Sequence, residues 1–77
     1  MTVYDTEVGR AYARVAHLSE CTIGALHAID IAEWIVEQRH PIRSRWERLT
    51  RGETTAWWQA QALREHFARI ERKGGKR

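Results

Sequence analysis

Residues 22–41 read TIGALHAIDIAEWIVEQRHP, and this stretch predicts a helix at the centre of the protein. On a helical wheel at about 100° per residue, the apolar side chains cover a broad arc. They are Ala25, Ala28, Ile29, Ile31, Ala32, Ile35 and Val36. An arc this wide can contact more than one neighbour. We therefore expect a helix at about 22–39 around which other helices pack, or which leaves part of its arc for a homodimer seam.

The segment before this helix predicts a second amphipathic element. Apolar side chains recur at steps of three and four residues between Tyr4 and Leu18, which indicates a helix at about 5–18. Thr2 or Asp5 can cap its start. Residues 19–22 form a break, where Ser19 or Thr22 can cap the following helix.

The segment after it predicts two further helices. Because the residue before a proline is disfavoured in helical conformation, the central helix ends at His40, and Pro41 opens a short helix at about 41–50. A capping-box spacing at Ser44 allows a later start for that helix. Gly52 breaks or caps it, and the last helix spans about 54–72. The sequence therefore predicts an all-α, compact four-helix domain at 1–72, followed by a flexible basic tail at 73–77.

Length and composition limit the class of protein. The chain has 77 residues, a formal net charge of +3 and one cysteine, so it forms one small domain without an intrachain disulfide. No apolar run is long enough to span a membrane, and the first residues lack the pattern of a secretory signal. We expect a cytoplasmic protein without membrane association.

Catalytic and metal-binding patterns are weak. The sequence has no phosphate-binding glycine loop, no glycine-flanked nucleophilic serine and no paired-cysteine zinc spacing. Cys21 and His17 are the best pair for nucleophile and base, yet a small buried thiol beside a surface histidine is the better interpretation of them. His27 and Asp30 add only a loose metal-ligand set. We therefore expect no enzyme activity, no cofactor and no metal.

Arginine and tryptophan supply the candidate partner-binding residues. If Ile42, Trp46 and Leu49 turn into the core, the arginines of the same helix face outward. Trp34 is also expected in the core. Adjacent Trp57 and Trp58 point in different directions, so at least one is exposed unless another helix covers it. Exposed tryptophan beside arginine is typical of protein-interface hot spots. The candidate residues are Arg43, Arg45, Arg48, Arg51, Trp57, Trp58, Arg69 and Arg72.

The central helix carries a secondary acidic face made of Asp30, Glu33 and Glu37. These carboxylates lie together on the side opposite the apolar arc. A solvated stripe, an internal partner for the arginine-rich segment 39–51 and a docking site for a basic protein are all compatible with them.

Two functional hypotheses follow from this distribution. The first is a non-enzymatic interaction module, of the kind that phage and mobile elements use to inhibit or modulate a host nucleic-acid-processing machine, as anti-restriction and anti-CRISPR inhibitors do. The alternative is a DNA-binding transcriptional regulator or recombination accessory factor that uses segment 39–51, with the central and third helices as a helix-turn-helix. The basic second half of the chain favours either a nucleoprotein partner or direct nucleic-acid binding.

Overall fold

The computed structural model describes residues 2–19 and 23–75. It contains a 3₁₀ turn at Val3–Asp5 and four helices, namely α1 (Glu7–Ser19), α2 (Ala25–Arg39), α3 (Pro41–Arg51) and α4 (Thr55–Gly75). No strand occurs in these residues, so the predicted all-α, four-helix domain is confirmed. Of the predicted tail, residues 73–75 continue α4, and residues 76–77 lie outside the described residues.

The helix ends follow local chemistry. Pro41 is the first residue of α3, so the alternative start at Ser44 is wrong. Gly52 ends α3 with a positive φ of 87°, a conformation that costs glycine little, and its N–H donates to the Arg48 carbonyl. Thr2 caps the 3₁₀ turn in a capping box with Asp5.

The first turn of α1 is held by hydrogen bonds to the preceding 3₁₀ turn and to α4. The Thr6 hydroxyl accepts a 2.9 Å hydrogen bond from the Gly9 N–H and donates one to the Val3 carbonyl. The Val8 N–H, which has no partner within the helix, donates to Gln59 of α4 at 3.1 Å. The start of α1 is therefore fastened to both the 3₁₀ turn and α4.

The hydrophobic core lies between α1, α2 and α4. Its buried members are Val8, Ala11, Ile29, Ala32, Val36, Ala56, Ala60 and Leu63, with Val3, Tyr12 and Phe67 packed around them. Alanine at four of these positions lets the helix axes approach closely. None of these core residues belongs to α3, so that helix lies at the edge of a three-helix core.

The predicted orientation of α3 is wrong. Ile42, Trp46 and Leu49 are 85%, 59% and 79% exposed, and the buried residues of this helix are Ser44 and Glu47. Trp34 of α2, also expected in the core, is 62% exposed. The helix is amphipathic as predicted, but it turns its polar side toward the protein and its apolar side to solvent.

Within the described residues, no helix combines the length and the apolar character that a membrane crossing requires.

Candidate functional site

Glu47 explains why α3 presents its polar side to the fold. Its carboxylate accepts hydrogen bonds from the backbone N–H of Thr55 at 2.8 Å and from the Thr55 hydroxyl at 2.7 Å. The first backbone N–H groups of a helix lack intrahelical acceptors, and a carboxylate there also meets the positive end of the helix dipole. Glu47 therefore fastens α3 to the first residue of α4.

Glu37 of α2 is the second anchor for this polar side. It accepts a 2.7 Å hydrogen bond from the Arg48 guanidinium and another of 2.7 Å from the Thr54 hydroxyl. Thr54 is fully buried and accepts a 3.0 Å hydrogen bond from the Trp57 N–H, as an N-cap does. Through Glu37 and Thr54, the end of α2, the middle of α3 and the start of α4 share one network.

The predicted arginines of α3 fall into two groups, those paired with a carboxylate of this network and those without an ion pair among the described residues. Arg48 pairs with Glu37, and the Arg43 Nε lies 3.8 Å from Glu47. By contrast, Arg45 and Arg51 are exposed and form no ion pair with a described residue. Outside α3, the Arg39 guanidinium lies 3.8 Å from Glu7 of α1. Much of the charge of segment 39–51 is thus balanced by the protein's own carboxylates.

Arg64 of α4 binds the other two carboxylates of the acidic face. Its sequence pattern does not distinguish it from the other arginines of the chain. Its guanidinium donates to Asp30 at 2.5 Å and to Glu33 at 2.9 Å. Burial disfavours the charge on Arg64, but the hydrogen bonds and attraction from these two carboxylates outweigh it and raise its pKa. Only the antiparallel alignment of α2 and α4 brings the three groups together.

The remaining predicted partner-binding residues lie on α4. Trp57 is half-buried, and its ring meets that of Trp58 edge-to-face with 4.8 Å between centroids. Trp58 is 58% exposed. Arg69 is exposed and lies 3.9 Å from Glu65, one turn away. The side chain of Arg72 lies outside the described part of the structure.

The outward side of α3 is apolar. We call Ile42, Trp46 and Leu49 the α3 apolar face; they occupy i, i+4 and i+7 and so form one stripe. Arg45 borders the stripe on one side. On that same side a groove of about 340 Å³ opens between α2 and α3, lined in part by Glu37, Gln38, Arg45 and Leu49.

A second, more apolar groove of about 500 Å³ lies between the start of α2 and the later turns of α4. Leu26, Phe67 and Ile70 supply its apolar lining, with His27 and Arg64 at its polar side. Because Arg64 is already bound by Asp30 and Glu33, this groove offers a ligand little unsatisfied charge.

Comparisons with known proteins give no match to a family model, a curated protein or a solved structure. Among residues 2–19 and 23–75, no three histidine, cysteine or acidic side chains come together as a metal site. Cys21 lies outside the described residues, so its position relative to His17 stays a prediction.

The hydrogen bonds of Glu47 should make the free energy of unfolding depend on pH. Hydrogen bonds from the Thr55 N–H and hydroxyl, with attraction from Arg43 and Arg51, outweigh burial and lower its pKa below the ordinary value of 4.5. A lowered pKa in the folded state contributes stability above the unfolded-state value, and this is lost as the pH falls through the folded-state value. We expect the free energy of unfolding to fall as the solution is acidified below about pH 5.

Urea unfolding at a series of pH values from 7 to 3 tests this expectation with Glu47→Gln. The variant should be less stable than the native chain at pH 7, and the difference should shrink as the pH falls. Glu65→Gln removes an exposed carboxylate from α4 and is the matched control, which should retain the native pH profile. An unchanged profile in Glu47→Gln would contradict this role for Glu47.

Proposed function

We propose that this protein is a small, cytoplasmic, non-enzymatic interaction module that binds a partner protein through the α3 apolar face. The observation that carries the proposal is the exposure of Ile42, Trp46 and Leu49. They lie on a helix whose polar side is hydrogen-bonded to α2 and α4. Solvent-exposed apolar stripes on small domains mark interaction surfaces. Tryptophan beside arginine is the composition enriched at interface hot spots.

We further propose a component of a host nucleic-acid-processing machine as the partner, bound by an accessory protein of the phage or mobile-element inhibitor type. The basic second half of the chain supports this class of partner, because a positive surface favours proteins that work next to nucleic acid. Anti-restriction and anti-CRISPR inhibitors are examples of such proteins.

The alternative function, direct DNA binding, has less support. Arg43 and Arg48 face internal carboxylates, which leaves fewer cations for phosphate contacts. In a helix-turn-helix, a turn of three or four residues precedes the recognition helix, whereas only His40 separates α2 from α3. The outward side of α3 is apolar where a recognition helix carries polar groups for base edges.

Site-specific photo-crosslinking tests the proposed function. A photoreactive phenylalanine analogue placed at Leu49 should crosslink to a defined protein, and the same analogue at Leu18, an exposed position on α1, should not. Mass spectrometry then identifies the crosslinked protein. Crosslinks from both positions to the same set of proteins, crosslinks to DNA alone, or no crosslink at position 49 would overturn the proposal.

A further inference from the structure

We infer that the segment bound by the α3 apolar face is an acidic amphipathic helix of the partner protein. The inference rests on the proposed function and deepens it, because it assigns the chemistry of the bound segment. Three observations support it: the charge around the stripe, the cost of pairing two copies of α3, and the groove beside Leu49.

The first observation is the sign of the charge around the stripe. On a helical wheel, Arg45 and Arg43 border the α3 apolar face on opposite sides. The only acidic residue of α3 is Glu47, and its carboxylate is buried against Thr55. Arg43 pairs with that carboxylate at 3.8 Å, whereas Arg45 is exposed and forms no ion pair with a described residue. A partner therefore meets an apolar centre with the positive charge of Arg45 at its border, and an apolar stripe bordered by carboxylates complements both.

The second observation concerns a second copy of this chain as the occupant. A symmetric dimer through the α3 apolar face would place Arg45 of both copies at the same interface. Glu47 and Glu37 already pair with Arg43 and Arg48 of their own chain, so neither carboxylate is free to offset the charge of Arg45 across such a dimer. Like charges at close range disfavour this homodimer, so a different protein is the better occupant of the α3 apolar face.

The third observation is the shape of the surface. The groove beside Leu49, about 340 Å³ in volume, can accept side chains that project from a helix laid along α3. A lipid bilayer presents no such projections. A phosphate backbone would leave Ile42, Trp46 and Leu49 against charged oxygens without an apolar partner. Shape and polarity together favour a protein helix.

Binding of two synthetic helical peptides tests the inference. The first has leucine at i, i+3, i+4 and i+7 with glutamate along both borders, and the second has lysine in place of every glutamate. Fluorescence anisotropy should show that the full chain binds the glutamate peptide about ten-fold more tightly, because Arg45 attracts glutamate and repels lysine. Arg45→Glu should reduce or reverse this preference. Arg14→Glu, an exposed change on α1, should leave it intact.

Several results would overturn the inference. They are equal affinity for the two peptides, tighter binding of the lysine peptide, no binding of either, a Trp46-dependent dimer of the free chain in sedimentation, and preferential binding to phosphatidylglycerol vesicles or duplex DNA. If the peptides are not distinguished but position 49 still crosslinks to a protein, the proposed function stands and only the acidic-helix assignment fails. If position 49 yields no protein either, both fail.

Discussion

Trp46→Ala is expected to weaken binding to the protein crosslinked at position 49 by about a hundredfold, while the chain keeps its fold. Trp46 is the largest side chain of the α3 apolar face and lies at its centre, between Ile42 and Leu49. Interface tryptophans that become desolvated in a complex are among the most costly side chains to truncate. In the free protein Trp46 is mostly exposed, so its removal should change the free energy of unfolding by no more than about 0.5 kcal/mol.

Trp34→Ala is the matched control for this variant. Trp34 has a similar exposed fraction but lies on α2, outside the α3 apolar face. It should keep native affinity, and isothermal titration calorimetry with the purified partner measures both variants. Equal losses of affinity in the two variants, or native affinity in Trp46→Ala, would contradict the assignment of the surface. A large loss of stability in Trp46→Ala would mean that the indole supports the fold instead.

The helices themselves could be predicted from local signals in the sequence. Pro41 and Gly52 set the ends of α3 because one cannot continue the preceding helix and the other accepts a positive φ. The core face of α2 also follows from periodicity, since Ala28, Ile29 and Ala32 are buried. Each of these signals acts over one or two helical turns, which is why the sequence reveals them.

The orientation of α3 could not be predicted in the same way. Periodicity shows that Ile42, Trp46 and Leu49 share a side, but an apolar stripe looks the same whether it faces a core or a partner. The decisive contacts join Glu47 to Thr55 and Glu37 to Thr54. These contacts depend on how the chain turns between α3 and α4. They also depend on the first backbone N–H groups of α4, which have no acceptor within the helix. A buried carboxylate in an arginine-rich helix carries no distinguishing sequence pattern.

The partners of the acidic face could also not be predicted from the sequence. The sequence allows an internal partner for Asp30, Glu33 and Glu37 without identifying it, and the structure supplies two different ones. Arg48 from the arginine-rich segment binds Glu37, whereas Arg64 binds Asp30 and Glu33. The second pairing depends on residues more than thirty positions apart, so helix alignment determines it. Charge patterning indicated the type of interaction but not the partner.

Gly9→Ala is expected to lower the free energy of unfolding by about 2–3 kcal/mol, although alanine is the better helix former. A Cβ atom at this position would overlap the Val3 carbonyl oxygen and lie 2.7 Å from the Tyr4 Cα. Both are backbone atoms of the 3₁₀ turn, so no side-chain rotation relieves the overlap. The turn must move away from α1, which disturbs the hydrogen bonds of Thr6 to Val3 and Gly9.

For a domain of this size, whose total stability is on the order of 5 kcal/mol, this loss leaves a marginally folded protein. Gly24→Ala is the matched control, because a Cβ there meets no atom within 4 Å and the φ of −72° suits alanine. Thermal and urea unfolding should show a small change in the control and a large one in Gly9→Ala. If Gly9→Ala is instead about 1 kcal/mol more stable than the native chain, as helix propensity alone predicts, the 3₁₀ turn does not pack on α1 in solution.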